Sequence, residues 1–178
     1  MLVGLAGDDR SGKGSVAELL RDEYGFEIYS MAGAMKQMLG GILLLTREQL
    51  YGRERDKPIE GMYRDVSTRD FLLAIGGGAR SVMPDVWVLI MARRLASLLE
   101  EGKNVVIDDV RYLNEVWWIK SVGGKVIRLI RTPSVSKNSY ELPLMTSDLF
   151  DAVLEAESGK VDQLLSKADA TFKTLLAK

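Results

Sequence analysis

The sequence predicts an α/β fold: a central parallel sheet of five strands with helices on both faces. Three observations predict it. Apolar runs of strand length recur at 2–6, 26–30, 104–108, 126–130 and 151–154, with helical patterns between them. Val105-Val106-Ile107 is continuously apolar up to Asp108, as in strands buried on both faces. Strands that alternate with helices imply parallel pairing through right-handed crossovers. The first strand, which leads into the most distinctive loop, is placed at the centre.

That first strand, Leu2 to Ala6, runs into Gly7-Asp8-Asp9-Arg10-Ser11-Gly12-Lys13-Gly14-Ser15 and then into the helical spacing of Val16-Ala17-Glu18-Leu19-Leu20. Strand, glycine-bounded loop with a lysine, then helix is the context of a phosphate-binding loop. Gly7 and Gly12 let the backbone approach an anion closely. The amides from Gly7 to Ser15, Arg10, Ser11 and Gly14 included, then converge on phosphate oxygens with the helix dipole behind them. Lys13 adds a flexible point charge that reaches the β- and γ-phosphates. The strict pattern asks for Ser or Thr directly after the lysine, as a Mg²⁺ ligand; here Gly14 stands there and the hydroxyl comes at Ser15. A nucleoside triphosphate, ATP, is the expected ligand.

Composition narrows the chemistry. At 178 residues the chain suits one domain with a mobile insertion. Hydrophobic residues make up 47% and charged residues 28%, as in ordinary soluble globular proteins. The formal net charge of −1 argues against binding nucleic-acid polymers. With no cysteine and no histidine, thiolate chemistry, serine–histidine triads and histidine metal ligands are excluded. Catalysis is left to carboxylates, Lys, Arg and the backbone. No basic region precedes the first apolar run, and no apolar stretch approaches the roughly 18 residues of a membrane span. A cytoplasmic location without membrane association is expected.

The remaining elements follow in order. Helix one is predicted from about Gly12 to Tyr24, with Gly25 as its stop. Ala32 to Leu45 reads as an apolar helix with Lys36 its only charge, loosened by Gly40 and Gly41. Thr46-Arg47-Glu48-Gln49 has the form of a capping box. Gly52 to Val66 turns polar and reads as a functional loop or flap, its arginines suited as a group to clamping phosphate. Ser67 and Asp70 cap a helix from Thr68 to about Ile75, before Gly76-Gly77-Gly78. Val86 to Glu101 is a longer helix closed by Gly102, in which Trp87 is either core or a lid over a base. The strand at 104–108 ends in Asp108-Asp109-Val110-Arg111. Carboxylates at the C-terminal end of a central strand face the ligand crevice of open α/β sheets. Either Asp108 or Asp109 is thus placed to orient Mg²⁺-bound water or the accepting group. A helix at 114–122 leads to the fourth strand, which delivers Arg131 to the same edge. Residues 131–146 stand where a lid is expected, and Val161 to Leu176 closes the fold as an amphipathic helix.

Together these features predict a P-loop kinase architecture, and the GKGS loop resembles that of nucleoside monophosphate kinases such as adenylate kinase. Those enzymes hold Mg²⁺ largely through nucleotide and water. More specifically, the chain resembles the bacteriophage-type deoxynucleoside monophosphate kinases over most of its length. Arg10 to Leu20 is similar to that family's RSGKDT segment, and Thr46 to Pro58 to its segment after the second helix. Ser67 to Gly77 is similar to its SPRELLQ-LG helix, and Pro84 to Val88 to its Trp-containing helix start. VVIDDVRYLNEV, Val105 to Val116, is similar to its DVRFPNEA signature. Lys125 to Pro133 and Phe150 to Glu155 follow in the family's order.

The resemblance implies transfer of the ATP γ-phosphoryl group to the 5′-phosphate of a deoxynucleoside monophosphate, with Mg²⁺ as cofactor. It implies catalytic roles for Lys13, Arg111, Arg131 and Asp109. Lys36, Arg69, Trp87, Asp108, Arg111, Asn114 and Glu115 fall on the acceptor side, and Ser15 and Asp108 (through water) on the metal. It also implies an insertion for the monophosphate at about 31–84, a lid at about 131–146, residence in the host cytoplasm if the gene is viral, and a possible homodimer. Departures from the family pattern bear on base selectivity. Gly14 replaces its Asp, Leu73 its Gln, Gly77-Gly78 its Thr-Glu, and Ala156 its Asn, and no His precedes Ser139. The rival readings are a P-loop kinase for another small molecule, of the phosphomevalonate or dephospho-coenzyme A type, and a P-loop NTPase.

Overall fold

The computed structural model describes residues 1–62, 65–133 and 146–176. The chain divides into two compact units, one of Met1–Met31 with Ala92–Lys178, the other of Ala32–Met91.

The first unit carries the sheet. Its strands are β1 (Leu2–Gly7), β2 (Glu27–Tyr29), β3 (Val105–Val110), β4 (Lys125–Thr132) and β5 (Ala152–Glu157). They pair in the order β2-β3-β1-β4-β5, all parallel, with β1 central as expected. Helix α1 (Lys13–Tyr24) follows β1, and α7 (Val161–Leu176) closes the chain. Period-2 alternation sorts the layers. Val3 and Leu5 face Val16, Ala17 and Leu20 of α1 and Leu164, Ala168 and Phe172 of α7 in one buried cluster. Gly4 faces the other way. A Cβ there would lie 2.6 Å from Ile119 Cδ1, so α6 (Leu113–Ser121) covers the opposite face at glycine distance.

The second unit is helical: α2 (Gly33–Leu43), α3 (Arg47–Tyr51), a 3-10 turn at Arg53–Asp56, α4 (Thr68–Val82) and the start of α5 (Val86–Glu100), which crosses the unit boundary after Met91. The capping box at Thr46 forms, Gln49 N–H donating to Thr46 Oγ1 at 3.2 Å and Thr46 N–H to Gln49 Oε1 at 2.8 Å. Ser67 and Asp70 form a second box at α4. The polar stretch after Gly52 is partly ordered by the 3-10 turn and an antiparallel bridge between Pro58 and Ser67.

Several expected boundaries move. Helix α4 does not stop at Ile75 but runs through Gly76-Gly77-Gly78 to Val82. Its glycines are kept helical by context: Gly76 packs on Met35 and its carbonyl accepts from Trp87 Nε1 at 3.3 Å. The stop comes at Met83, before Pro84, where the proline disfavours α-helical backbone. Helix α2 runs through Gly40-Gly41 as expected, and ends at Leu43 rather than Leu45, with Leu44 in the left-handed region. Strand β3 continues through both aspartates to Val110, and β5 reaches Glu157. The expected lid at about 131–146 lies mostly outside the described residues. Among the described residues no helix is long and apolar enough to cross a membrane.

Candidate phosphate-binding site

The loop joining β1 to α1 has the backbone an anion cradle requires. Arg10 and Gly12 both take positive φ, 62° and 95°, the kind of local backbone found in anion nests, while the Ser11 N–H between them donates to Asp8 O at 3.2 Å. Gly12 is fixed twice over, because a Cβ there would lie 2.3 Å from Leu164 Cδ2 of α7. Gly12 also caps α1 without any side-chain hydrogen bond, and no acidic residue stands in the first turn. The first amides of α1 thus receive no cap from the residue that precedes the helix, which suits a ligand anion. Gly14 has open space around it, and Ser15 follows half-buried in the same turn.

Lys13 is buried, and its ammonium folds back over the loop. Nζ donates to Gly7 O at 2.7 Å, Asp8 O at 2.6 Å and Ser11 Oγ at 3.4 Å. Burial, then the neighbouring Arg111 charge, lower its pKa from 10.5 to about 8, against the opposing pull of Asp9, Asp109 and Asp108.

Strand β3 brings the paired carboxylates to the same edge. Its register with β1 shifts: Gly4 pairs with Ile107 but Ala6 with Val110, so Asp108 and Asp109 both stand opposite Leu5. Such a bulge re-aims side chains at a strand end. Asp109 accepts from Ser30 Oγ and from Met31 N–H, each at 2.6 Å. Asp108 is half-buried and lies within electrostatic range of Lys13. Just beyond, Arg111 NH2 pairs with Asp9 Oδ1 of the loop at 3.4 Å. Its backbone N–H donates to Glu115 Oε2 at 2.7 Å, as does that of Tyr112 at 3.1 Å. Glu115 is only 2% exposed, so its carboxylate shapes the turn that presents Arg111; Asn114 stands half-buried beside it. On the other side of β1, Arg131 of β4 donates to Arg10 O at 3.3 Å and to Ser158 Oγ, while its Nε is buried without a partner among the described residues.

Lys13, Arg111, Arg131, Asp108, Asp109 and the loop are thus gathered at the C-terminal edge of one sheet. Lys36, Arg69 and Trp87 belong to the second unit. There Lys36 Nζ lies 4.4 Å from the Tyr51 ring centroid and Arg69 pairs with Asp56 at 3.4 Å. Trp87 is buried, as in the core alternative, with its N–H on Gly76 O. Three residues the sequence did not single out emerge here. Asp9 pairs with Arg111, Ser30 with Asp109, and Ser158 with Arg131. No local pattern marks the last two, whose partners lie 79 and 27 positions away.

Fold and site together define the class: this is a P-loop kinase fold. Among solved structures it is similar to one described as a putative kinase from Chloroflexus aurantiacus, with TM-score 0.56, 12% identity, and coverage of 99% of this chain and 96% of that one. It is also similar to the dephospho-CoA kinase of Campylobacter jejuni, with TM-score 0.54, 12% identity and coverage of 98% and 96%. At those identities the likeness is one of fold. In sequence the chain is similar to a protein of Acanthamoeba polyphaga mimivirus described as "Putative deoxynucleotide monophosphate kinase", with 29% identity across 86% of this chain and 87% of the relative. No family model matches the chain.

Proposed function

We propose that this protein transfers the γ-phosphoryl group of ATP to the 5′-phosphate of a deoxynucleoside monophosphate, giving the diphosphate and ADP. The observation that carries the reading is the likeness to the mimiviral protein across 86% of this chain and 87% of that one, supported by a glycine-bounded loop over which the Lys13 ammonium folds. The fold alone is shared with kinases of other small molecules.

Phosphoryl transfer asks for alignment and charge neutralisation rather than covalent chemistry. The acceptor phosphate is already anionic near neutral pH, so the absence of histidine and cysteine is no obstacle. In this reading the loop amides and the start of α1 receive the β- and γ-phosphates. The Lys13 ammonium exchanges the Gly7 and Asp8 carbonyls for phosphate oxygens, which are stronger acceptors for a cation. Arg111, steered by Glu115, and Arg131 supply planar cations to the transferring and accepting groups. Lys36, Arg69 and Trp87 of the second unit serve the acceptor.

Mg²⁺ keeps most of its water and binds through one or two protein oxygens plus substrate phosphates, a demand that one hydroxyl and one carboxylate meet. Ser15 and, through water, Asp108 would hold it, and the ion would neutralise charge on the bridging phosphate oxygens.

The test is ADP release with each of the four deoxynucleoside monophosphates, set against dephospho-coenzyme A and phosphomevalonate. Turnover of at least one deoxynucleotide, well above either metabolite, is expected. If no deoxynucleotide is turned over, the reading falls.

A further inference from the structure

Asp109 does something the sequence does not suggest. Its two carboxylate oxygens reach across to the segment that follows β2, Oδ2 accepting from Ser30 Oγ and Oδ1 from Met31 N–H, both at 2.6 Å. Bonds to an ionised acceptor at that length are among the strong ones. Their location gives them a task. Strand β2 has three residues, sits at the edge of the sheet and, among the described residues, pairs only with β3. So short an edge strand has few ladder bonds to hold its exit. Met31 is the last residue of the first unit's N-terminal segment, and α2 begins at Gly33. The bulge that sets Asp108 and Asp109 together opposite Leu5 supplies the extra residue at this point of β3.

We propose that Asp109 is a positioning residue: by holding Ser30 and Met31 it fixes the path on which the chain leaves β2 and enters α2, and thereby the geometry of acceptor binding. The proposal rests on the nucleotide-kinase reading above and divides the labour of the paired carboxylates. Asp108 is left to the phosphate and metal side, while Asp109 governs the chain exit.

The test uses the full-length chain with Asp109→Ala, Asp109→Asn and Ser30→Ala. Three quantities are read: hydrogen–deuterium exchange at the Met31 amide, Kd for ATP, and KM for the deoxynucleotide at saturating ATP. Asp109→Ala should speed Met31 exchange and raise the acceptor KM by about tenfold or more, with ATP Kd within about twofold. Ser30→Ala, which removes one bond of the two, should shift both in the same direction by about threefold. Unchanged Met31 exchange in the variants that fold overturns the proposal. So does a loss of kcat that extra Mg²⁺ restores, which would put Asp109 on the metal instead. If the wild-type protein turns over no deoxynucleotide, the kinase reading fails, and Met31 exchange still decides whether Asp109 holds the exit.

Discussion

The two ends of β4 treat charge in opposite ways. At its N-terminal end Asp151 is matched ion to ion, lying 2.9 Å from Lys120 and 3.3 Å from Lys125, and it also accepts the Val126 N–H at 2.8 Å. Burial alone would push its carboxyl up, but the amide and the two ammonium groups outweigh that and hold it below the ordinary range. At the C-terminal end Lys13 and Arg131 rest on dipoles. Lys13 donates to two carbonyls and a hydroxyl, and Arg131 to a carbonyl and a hydroxyl, with its Nε unpartnered among the described residues. The first arrangement is complete and stabilises the fold. The second leaves cations on acceptors weaker than a phosphate, and such sites exchange partners when an anion arrives.

The comparison is broken most severely at Lys13. Lys13→Ala should cut phosphoryl transfer by about a thousandfold or more, about 4 kcal/mol, with the far-ultraviolet circular dichroism unchanged. A loss under about tenfold would remove the ammonium from the phosphates. Arg111→Ala and Arg69→Ala come next. Each should lower kcat/KM for the acceptor by about a hundredfold while ATP affinity, measured by calorimetry, moves only a few fold. An unchanged acceptor profile would take them out of the site.

The pH dependence sharpens the contrast. Free Lys13 titrates at about 8, below its ordinary 10.5, and a bound triphosphate favours the charged form. ATP binding should therefore take up a proton above pH 8 and weaken as pH rises, by up to about tenfold per unit. Calorimetry in buffers of different ionisation enthalpy should find almost no proton uptake at pH 7 and substantial uptake at pH 9. The stability of the free protein moves the other way. Between 8 and 10.5 the unfolded chain holds this proton more tightly, so the lysine destabilises the fold fully below 8 and progressively less as pH climbs.

The smallest effect belongs to the other end of the strand. Asp151→Asn should cost about 1–2 kcal/mol in denaturant unfolding, since its lysine partners are partly exposed, and leave kcat/KM within about twofold. A large activity loss there would erase the distinction between the two ends.

Much of this was legible in the chain. The five strands, the central place of β1, the loop from Gly7 to Ser15 and the helix from Val161 to Leu176 all follow from local periodicity and punctuation, because short-range sterics and side-chain alternation fix them. The capping boxes at Thr46 and Ser67 are equally local. Reading failed where a distant partner overrode a local signal. Gly76-Gly77-Gly78 looked like a stop but lies inside α4, where Met35 and Trp87 pack on or bond to Gly76. The aspartate pair looked like a strand end but forms a bulge within β3.

The sequence by itself determined the order of elements, the glycine-bounded loop from Gly7 to Ser15 between strand and helix, and the absence of histidine and cysteine chemistry. Each of these is written in contiguous residues or in composition. Only the tertiary structure decided that Asp109 turns to Ser30 and Met31, that Glu115 holds the backbone of Arg111, that Arg131 rests between Arg10 and Ser158, and that Leu164 of α7 packs against Gly12. Those choices depend on contacts between residues that only the folded sheet brings together, and no periodicity along the chain encodes them.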